Sequence, residues 1–180
     1  MKRQARSRCL QTLCMAVVLI LTGCATGQRA SETEQVSIGP YPALTGRLIV
    51  MEPTKRWQVL LTWRAATPDH GWLRLTHAAT NTVIELRWQG GAMELRDNRQ
   101  PAWHAVDRTS LSEHGIVIAP QELATILLGR MPAHFQKVSV NRWKSMNNGA
   151  VIQLQWVPQA HRLMMTDLKH GRKATLIIQP

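Results

Sequence analysis

Trp57-Gln58-Val59-Leu60-Leu61-Thr62-Trp63-Arg64 alternates, with Trp57, Val59, Leu61 and Trp63 on one side and Gln58, Leu60, Thr62 and Arg64 on the other. A period of two belongs to an extended chain whose two faces meet different surroundings. The pattern continues downstream. Leu73 and Leu75 oppose Trp72, Arg74 and Thr76; Ile84, Leu86 and Trp88 oppose Glu85 and Arg87; Met93 and Leu95 oppose Glu94 and Arg96. An apolar face backed by a Glu/Arg face describes an antiparallel sheet that is wet on one side.

The breaks between these runs are turn-like: Glu52-Pro53-Thr54, Thr67-Pro68-Asp69-His70 and Gly90-Gly91. Strands are therefore expected at Leu44–Met51, Trp57–Arg64, Gly71–His77, Thr82–Trp88 and Ala92–Asp97. A second series is expected at His134–Trp143, Ala150–Val157, His161–Leu168 and Arg172–Gln179, which makes about nine strands in all. Asn147-Asn148-Gly149 reads as a hairpin turn, since Asn and Gly tolerate positive φ. Between the two series, Pro120 suits a first helical position, Leu123, Ile126 and Leu127 follow at helical spacing, and Gly129 with Pro132 ends the helix. A weaker helical turn is expected at Asp107–Glu113. The fold class is mainly β with one or two helices.

The N-terminus has a different texture. Lys2, Arg3, Arg6 and Arg8 form a basic head, and a short apolar run over Leu10–Leu21 follows. The run is shorter than the roughly 20 apolar residues that a spanning helix needs. Together with the small residues after it, this describes a removable export signal. Leu21-Thr22-Gly23-Cys24 resembles the lipobox of bacterial lipoproteins. That resemblance implies cleavage after Gly23, diacylglycerol on the Cys24 sulfur and an acylated amine. Two or more acyl chains hold a protein stably on a membrane. In enterobacterial sorting an Asp after the cysteine favours the inner membrane; Ala25 stands here, which implies the outer membrane, with the domain facing the periplasm. Residues 1–23 are thus read as a signal peptide, 24–43 as a polar lipidated tether and 44–180 as one domain.

Composition narrows the functions. The chain has 22 Lys and Arg against 11 Asp and Glu. Loss of the four basic residues in the head leaves an excess of about +7, which could attract anionic lipid or an acidic partner, or could be no more than a solvated face. Nucleic acid is not expected outside the cytoplasm. Cys9 and Cys14 leave with the signal, so the mature chain has no internal disulfide and relies on packing. Seven tryptophans beside one Phe and one Tyr supply much of the apolar bulk. No Gly-x-Ser-x-Gly, His-Glu-x-x-His or Cys-x-x-Cys is present. The histidines, such as His70 and His114, sit singly in turns or at strand ends. No enzyme, metal or cofactor is expected.

Periodicity alone fits either a solid sheet core or a greasy hollow under a helix. Taken together, several features resemble the LolB family of outer-membrane lipoproteins. They are the lipobox, Gly46-Arg47-Leu48, Leu61-Thr62-Trp63, Leu73-Arg74-Leu75-Thr76 followed by Thr82–Leu86, the run Gly115, Ile118, Pro120, Leu123, Leu128-Gly129 and Pro132, and Gln155-Trp156. The resemblance covers about 135 residues and rests on order and spacing. It implies an open, unclosed antiparallel β-barrel with a helical lid over its concave face. Acyl chains would then be lined by Val59, Leu61, Trp63, Leu73, Leu75, Ile84, Leu86, Trp88, Ile152, Leu154 and Trp156, with Leu123, Ile126 and Leu127 in the lid.

The implied function is a monomeric receptor that accepts acylated lipoproteins from a LolA-like periplasmic carrier and aids their incorporation into the outer membrane. The alternative is a structural or accessory envelope lipoprotein with a solid core that binds a partner protein or glycan. Two features depart from the family. Its membrane-insertion loop carries an exposed bulky apolar residue where this chain has Ala79. The tether also lacks an amphipathic helix ahead of the first strand.

Overall fold

All strands of the computed structural model, which describes residues 37–113, 116–147 and 150–179, join one antiparallel sheet. They are β1 (Ala43–Met51), β2 (Arg56–Thr67), β3 (His70–His77), β4 (Thr82–Gln89), β5 (Ala92–Asp97), β6 (His104–Ala105), β7 (Phe135–Ser139), β8 (Arg142–Asn147), β9 (Ala150–Val157), β10 (Arg162–Asp167) and β11 (Arg172–Gln179). The order across the sheet is β6-β5-β4-β3-β2-β1-β11-β10-β9-β8-β7. It is a meander in two halves, joined where β1 pairs with β11, as in Leu48 opposite Leu176. β6 and β7 are free edges, so the sheet curls into a half-barrel without closing. The basic head, the apolar run and Cys24 lie outside the described residues.

The alternation sorts the faces as expected. Val59, Leu61, Trp63, Leu73, Leu75, Leu86, Trp88, Leu154 and Trp156 are buried on the concave side. Cross-strand pairs put like with like, for instance Trp63 opposite Leu73, and Leu73 opposite Leu86. Gly71 lies beside Trp88, where a Cβ would come within 2.2 Å of the indole ring. Glycine at that position lets the ring lie flat against the strand.

Two helices follow β6. In α1 (Arg108–Glu113), Asp107 caps the start by accepting from the Ser110 N–H at 2.8 Å. In α2 (Pro120–Leu127), proline opens the helix and Ala124, Ile126 and Leu127 are buried under it. Gly129, at φ 87°, ends it. Its N–H bonds Ile126 O and the Arg130 N–H bonds Thr125 O, the two bonds of a Schellman close.

The segment read as one strand, His134–Trp143, is two. β7 and β8 turn at Val140-Asn141, where Asn141 takes φ 59°. The expected strand at His161–Leu168 is shorter, because His161 is left-handed at φ 44° after a 3₁₀ turn at Pro158–Ala160. These changes and the short β6 raise the expected nine strands to eleven. The hairpin expected at Asn147–Gly149 is flanked by the pair Asn147 and Ala150, while its turn lies outside the described residues. The polar stretch 25–43 reaches into the domain at its end. Ile38 is 3% exposed in the core, and the Tyr41 N–H donates to Leu127 O at 2.6 Å.

Candidate functional site

The concave side of the sheet holds a small apolar hollow beneath the segment that leads into α2. Its volume is about 60 Å³. Leu48 and Val50 of β1, Leu61 and Trp63 of β2, and Leu73 and Leu75 of β3 form one wall. Met165, Ala174 and Leu176 form the other, and Ile116, Val117, Ile118, Pro120 and Leu123 form the roof. A wall made of apolar atoms needs no water to satisfy it.

A wider recess of about 370 Å³ opens at the end of the sheet that carries the β1–β2 and β3–β4 turns. Val59, Ile84 and Leu95 form its floor. Trp57, Leu75 and Ile116 line both this recess and the hollow, so the Ile116 side chain stands between them. The rim is polar. Trp57 Nε1 donates to Glu52 Oε1 at 3.5 Å, Lys55 pairs with Glu52 at 3.6 Å, and Thr80 Oγ1 lies 2.9 Å from His77 Nδ1. An apolar recess with a polar rim suits an amphiphile that enters tail first.

The residues expected to line an acyl site divide. Leu61, Trp63, Leu73, Leu75 and Leu123 face the hollow, and Val59, Leu75 and Ile84 face the recess. Leu86, Trp88, Ile126, Leu127, Ile152, Leu154 and Trp156 are interior or partly interior residues that border neither space. Sequence reading missed Leu48, Val50, Ile116, Val117, Met165, Ala174 and Leu176. The alternation of β1, β10 and β11 carried that signal, as did the Ile116-Val117-Ile118 run. Ala79, expected in a membrane-insertion loop, is exposed in the β3–β4 turn and presents only a methyl group.

Among the described residues four buried side-chain atoms go unmet, Gln121 Oε1 and Arg162 Nε being two of them. Trp88 Nε1 donates to Pro68 O at 2.9 Å, whereas the buried Trp63 Nε1 and Ser145 Oγ have no partner. Among the described residues no cluster of His, Cys, Asp or Glu could hold a metal ion, and no helix is long and apolar enough to cross a membrane.

The outer faces of the two halves differ in charge. On β3–β5, Arg87 meets Glu94 at 2.6 Å, and Glu85 lies between Arg96 and Arg74. The Trp103 ring lies 4.3 Å and 4.6 Å from the Arg87 and Arg96 guanidinium carbons. On the outer face of β7–β11, Arg142, Lys144 and Lys173 pair with no carboxylate among the described residues.

The family model for the outer membrane lipoprotein LolB matches residues 43–163. The chain belongs to the LolB family. The match opens on the first residue of β1, contains both helices and stops within β10. LolB-family proteins are outer-membrane lipoproteins concerned with lipoprotein localisation, a binding role with no bond chemistry. No curated protein matches the chain. The crystal structure of a LolA superfamily protein from Nitrosomonas europaea is similar over 79% of this chain and 87% of its own length, at 8% identity and a TM-score of 0.42. That likeness is too slight to carry an argument.

Proposed function

We propose that this LolB-family chain accepts acylated lipoproteins from a soluble LolA-like carrier and passes them to the outer membrane, to which lipid on Cys24 holds it. The observation that carries this reading is the pair of apolar spaces, a polar-rimmed recess and a hollow beneath the segment leading into α2, which share Trp57, Leu75 and Ile116 as walls. Acyl chains would lie along Val59, Ile84, Leu75, Leu61 and Leu73, with the ester groups left at the Glu52, His77 and Thr80 rim.

The hollow at about 60 Å³ is far below the roughly 300–1,000 Å³ of ordinary ligand sites. Loading therefore requires Ile116–Leu123 to move off the sheet and give up its own apolar contacts. Each CH₂ that replaces them contributes roughly 0.8 kcal/mol. Long chains can repay the displacement and short ones cannot, so transfer would run toward whichever acceptor buries more of the chain.

The same small volume favours the second reading, an accessory envelope lipoprotein with a solid core. Mass spectrometry of native protein purified from membranes separates the two. Co-bound acylated protein or long-chain lipid, lost in Ile116→Asp, supports the receptor. A clean native spectrum, together with no uptake of a fluorescent fatty acid, would leave the solid-core reading standing.

A further inference from the structure

We propose that the outer face of the β7–β8 hairpin and the neighbouring β9–β11 strands is a docking surface for an anionic lipid bilayer. The proposal rests on the receptor reading only for the lipid anchor that brings the domain to a membrane.

Three apolar side chains stand out of this face: Met146 is 75% exposed, Val140 66% and Val138 64%. Apolar groups this exposed cost free energy in water unless something covers them. Val138 sits at a bulge, where the pairing of β7 with β8 slips between Lys137 and Ser139. It lines a shallow groove of about 620 Å³ with Arg142, Lys144, Met164 and Lys173, and no lining residue is acidic. Arg142, Lys144 and Met146 fall on one side of β8 by alternation. Among the described residues, Arg142, Lys144 and Lys173 of this face make no ion pair. On the other half of the sheet Arg74, Arg87 and Arg96 share Glu85 and Glu94. Unpaired positive charge on this face thus stands beside protruding apolar tips.

That combination fits a lipid surface better than a folded partner. The groove beside them is shallow and edged by Arg142, Lys144 and Lys173, so the face offers protruding tips rather than a deep recess for a partner's side chain. Interfacial segments pair an apolar wedge with flanking cations in this way. The position also agrees. By strand register, the Val140-Asn141 turn is at the same end of the sheet as Ala43, where the chain enters β1. The stretch from Cys24 to Ser37 spans at most roughly 45 Å when extended. Val140 thus lies at the strand end where the tether joins the domain, and Met146 and Lys173 lie toward the other end of the same face. Ala79, small and at the opposite end, offers no such wedge.

The test uses the full lipidated protein, reconstituted in vesicles of phosphatidylcholine alone or of phosphatidylcholine with phosphatidylglycerol. The only cysteine of the mature chain is spent on lipid, so Val140→Cys and Ala79→Cys each accept one polarity-sensitive fluorophore. The Val140→Cys label is expected to shift to the blue in anionic vesicles only, and the shift is expected to fade with salt. The Ala79→Cys label should not respond. Combining Arg142→Glu, Lys144→Glu and Lys173→Glu should lower the docked-to-undocked ratio by about a hundredfold, at roughly fivefold or more per cation. Unchanged thermal unfolding of that variant shows that the fold is intact. Equal emission in the two vesicles, or a shift at Ala79→Cys instead, overturns the proposal. So does a shift produced only by adding an acidic carrier protein. A normal shift in protein that takes up no acyl chain would sink the receptor reading and leave this surface standing. Absence of fatty acid on Cys24 would be read directly from the mass of the purified chain.

Discussion

Trp63 and Trp88 lie with ring centroids 5.0 Å apart and planes tilted by 41°, yet only one of the two indoles is hydrogen-bonded. Trp88 Nε1 reaches Pro68 O, while Trp63 Nε1 is buried without an acceptor. Both would lose packing as phenylalanine. Trp88→Phe also strands a carbonyl, and Trp63→Phe removes an unmet donor. Trp63→Phe should therefore be the milder change by about 1 kcal/mol in urea unfolding. Equal losses would mean that Trp63 finds an acceptor in solution.

Gly71→Ala tests how tightly β3 is laid against Trp88. The added methyl would meet the ring at 2.2 Å and Arg64 O at 2.8 Å. Overpacking of this kind costs about 1–3 kcal/mol. The variant should melt earlier and regain stability when combined with Trp88→Leu. Additive losses in that pair would show that the strain lies elsewhere.

Ile84 and Leu86 are two residues apart on one face of β4 but meet different surroundings. Leu86 is 1% exposed, and Ile84 is half-buried at the recess. Leu86→Glu should cost several kcal/mol and largely unfold the domain, since a lone carboxylate would be left dry. Ile84→Glu should stay folded, with water at its carboxylate, and lose uptake of a fluorescent fatty acid. Normal uptake by folded Ile84→Glu would remove the recess as the way in.

Asp97 holds the turn after β5 by accepting from the Gln100 N–H at 2.6 Å and the Arg99 N–H at 2.7 Å. These bonds, Gln100 first, keep its carboxyl below the ordinary value of 3.8. A lowered folded value adds stability that is present above the unfolded value and lost as pH falls through the folded one. Asp97→Asn keeps an acceptor but has no such loss. The stability gap between wild type and variant should be flat above about pH 5 and shrink on acidification. A gap that widens in acid would reverse the assignment.

The anchor is tested at Cys24 and Ala25. Cys24→Ala should accumulate as an unacylated, full-length precursor on gels and in fatty-acid labelling. Ala25→Asp should move the protein toward the inner membrane in a host that sorts on that residue. Processing of Cys24→Ala after Gly23, or unchanged fractionation of Ala25→Asp, would each undo its half of the reading.

The first half of the sheet was legible because its outer face is charged and three of its breaks carry Pro or Gly; at the fourth, Ala78–Asn81, the strong alternation on both sides marks the turn. The strands from Trp57 to Asp97 stand close to where alternation puts them. The β7–β8 turn was not legible, because Val138-Ser139-Val140-Asn141 has no Gly or Pro and Asn141 alone supplies the left-handed residue. The apolar walls contributed by β2–β4 were readable as a face. Which of their residues border open space was not, because that depends on where Ile116-Val117-Ile118 crosses the curled sheet. The exposure of Val138 and Met146 was not legible either, because it depends on β7 being the edge of the sheet and on the face that β8 gives Met146.

The pairing of β1 with β11 has a consequence for how the protein comes into being. Synthesis delivers the N-terminal strand first, and β1 must wait for nearly the whole chain before Leu176 arrives beside Leu48. Until then β1 can pair only with β2, and together with the four strands beyond β2 they form a sheet with a bare hydrogen-bonding edge at its first strand. A chain in that state presents both a raw edge and an uncovered apolar face, the condition in which nascent β-proteins aggregate or recruit chaperones. Joining the two ends of the chain in the middle of the sheet makes completion of the last strand the event that seals the molecule. Loss of a few C-terminal residues would therefore leave two unsealed halves where loss of a peripheral strand would leave a shortened sheet.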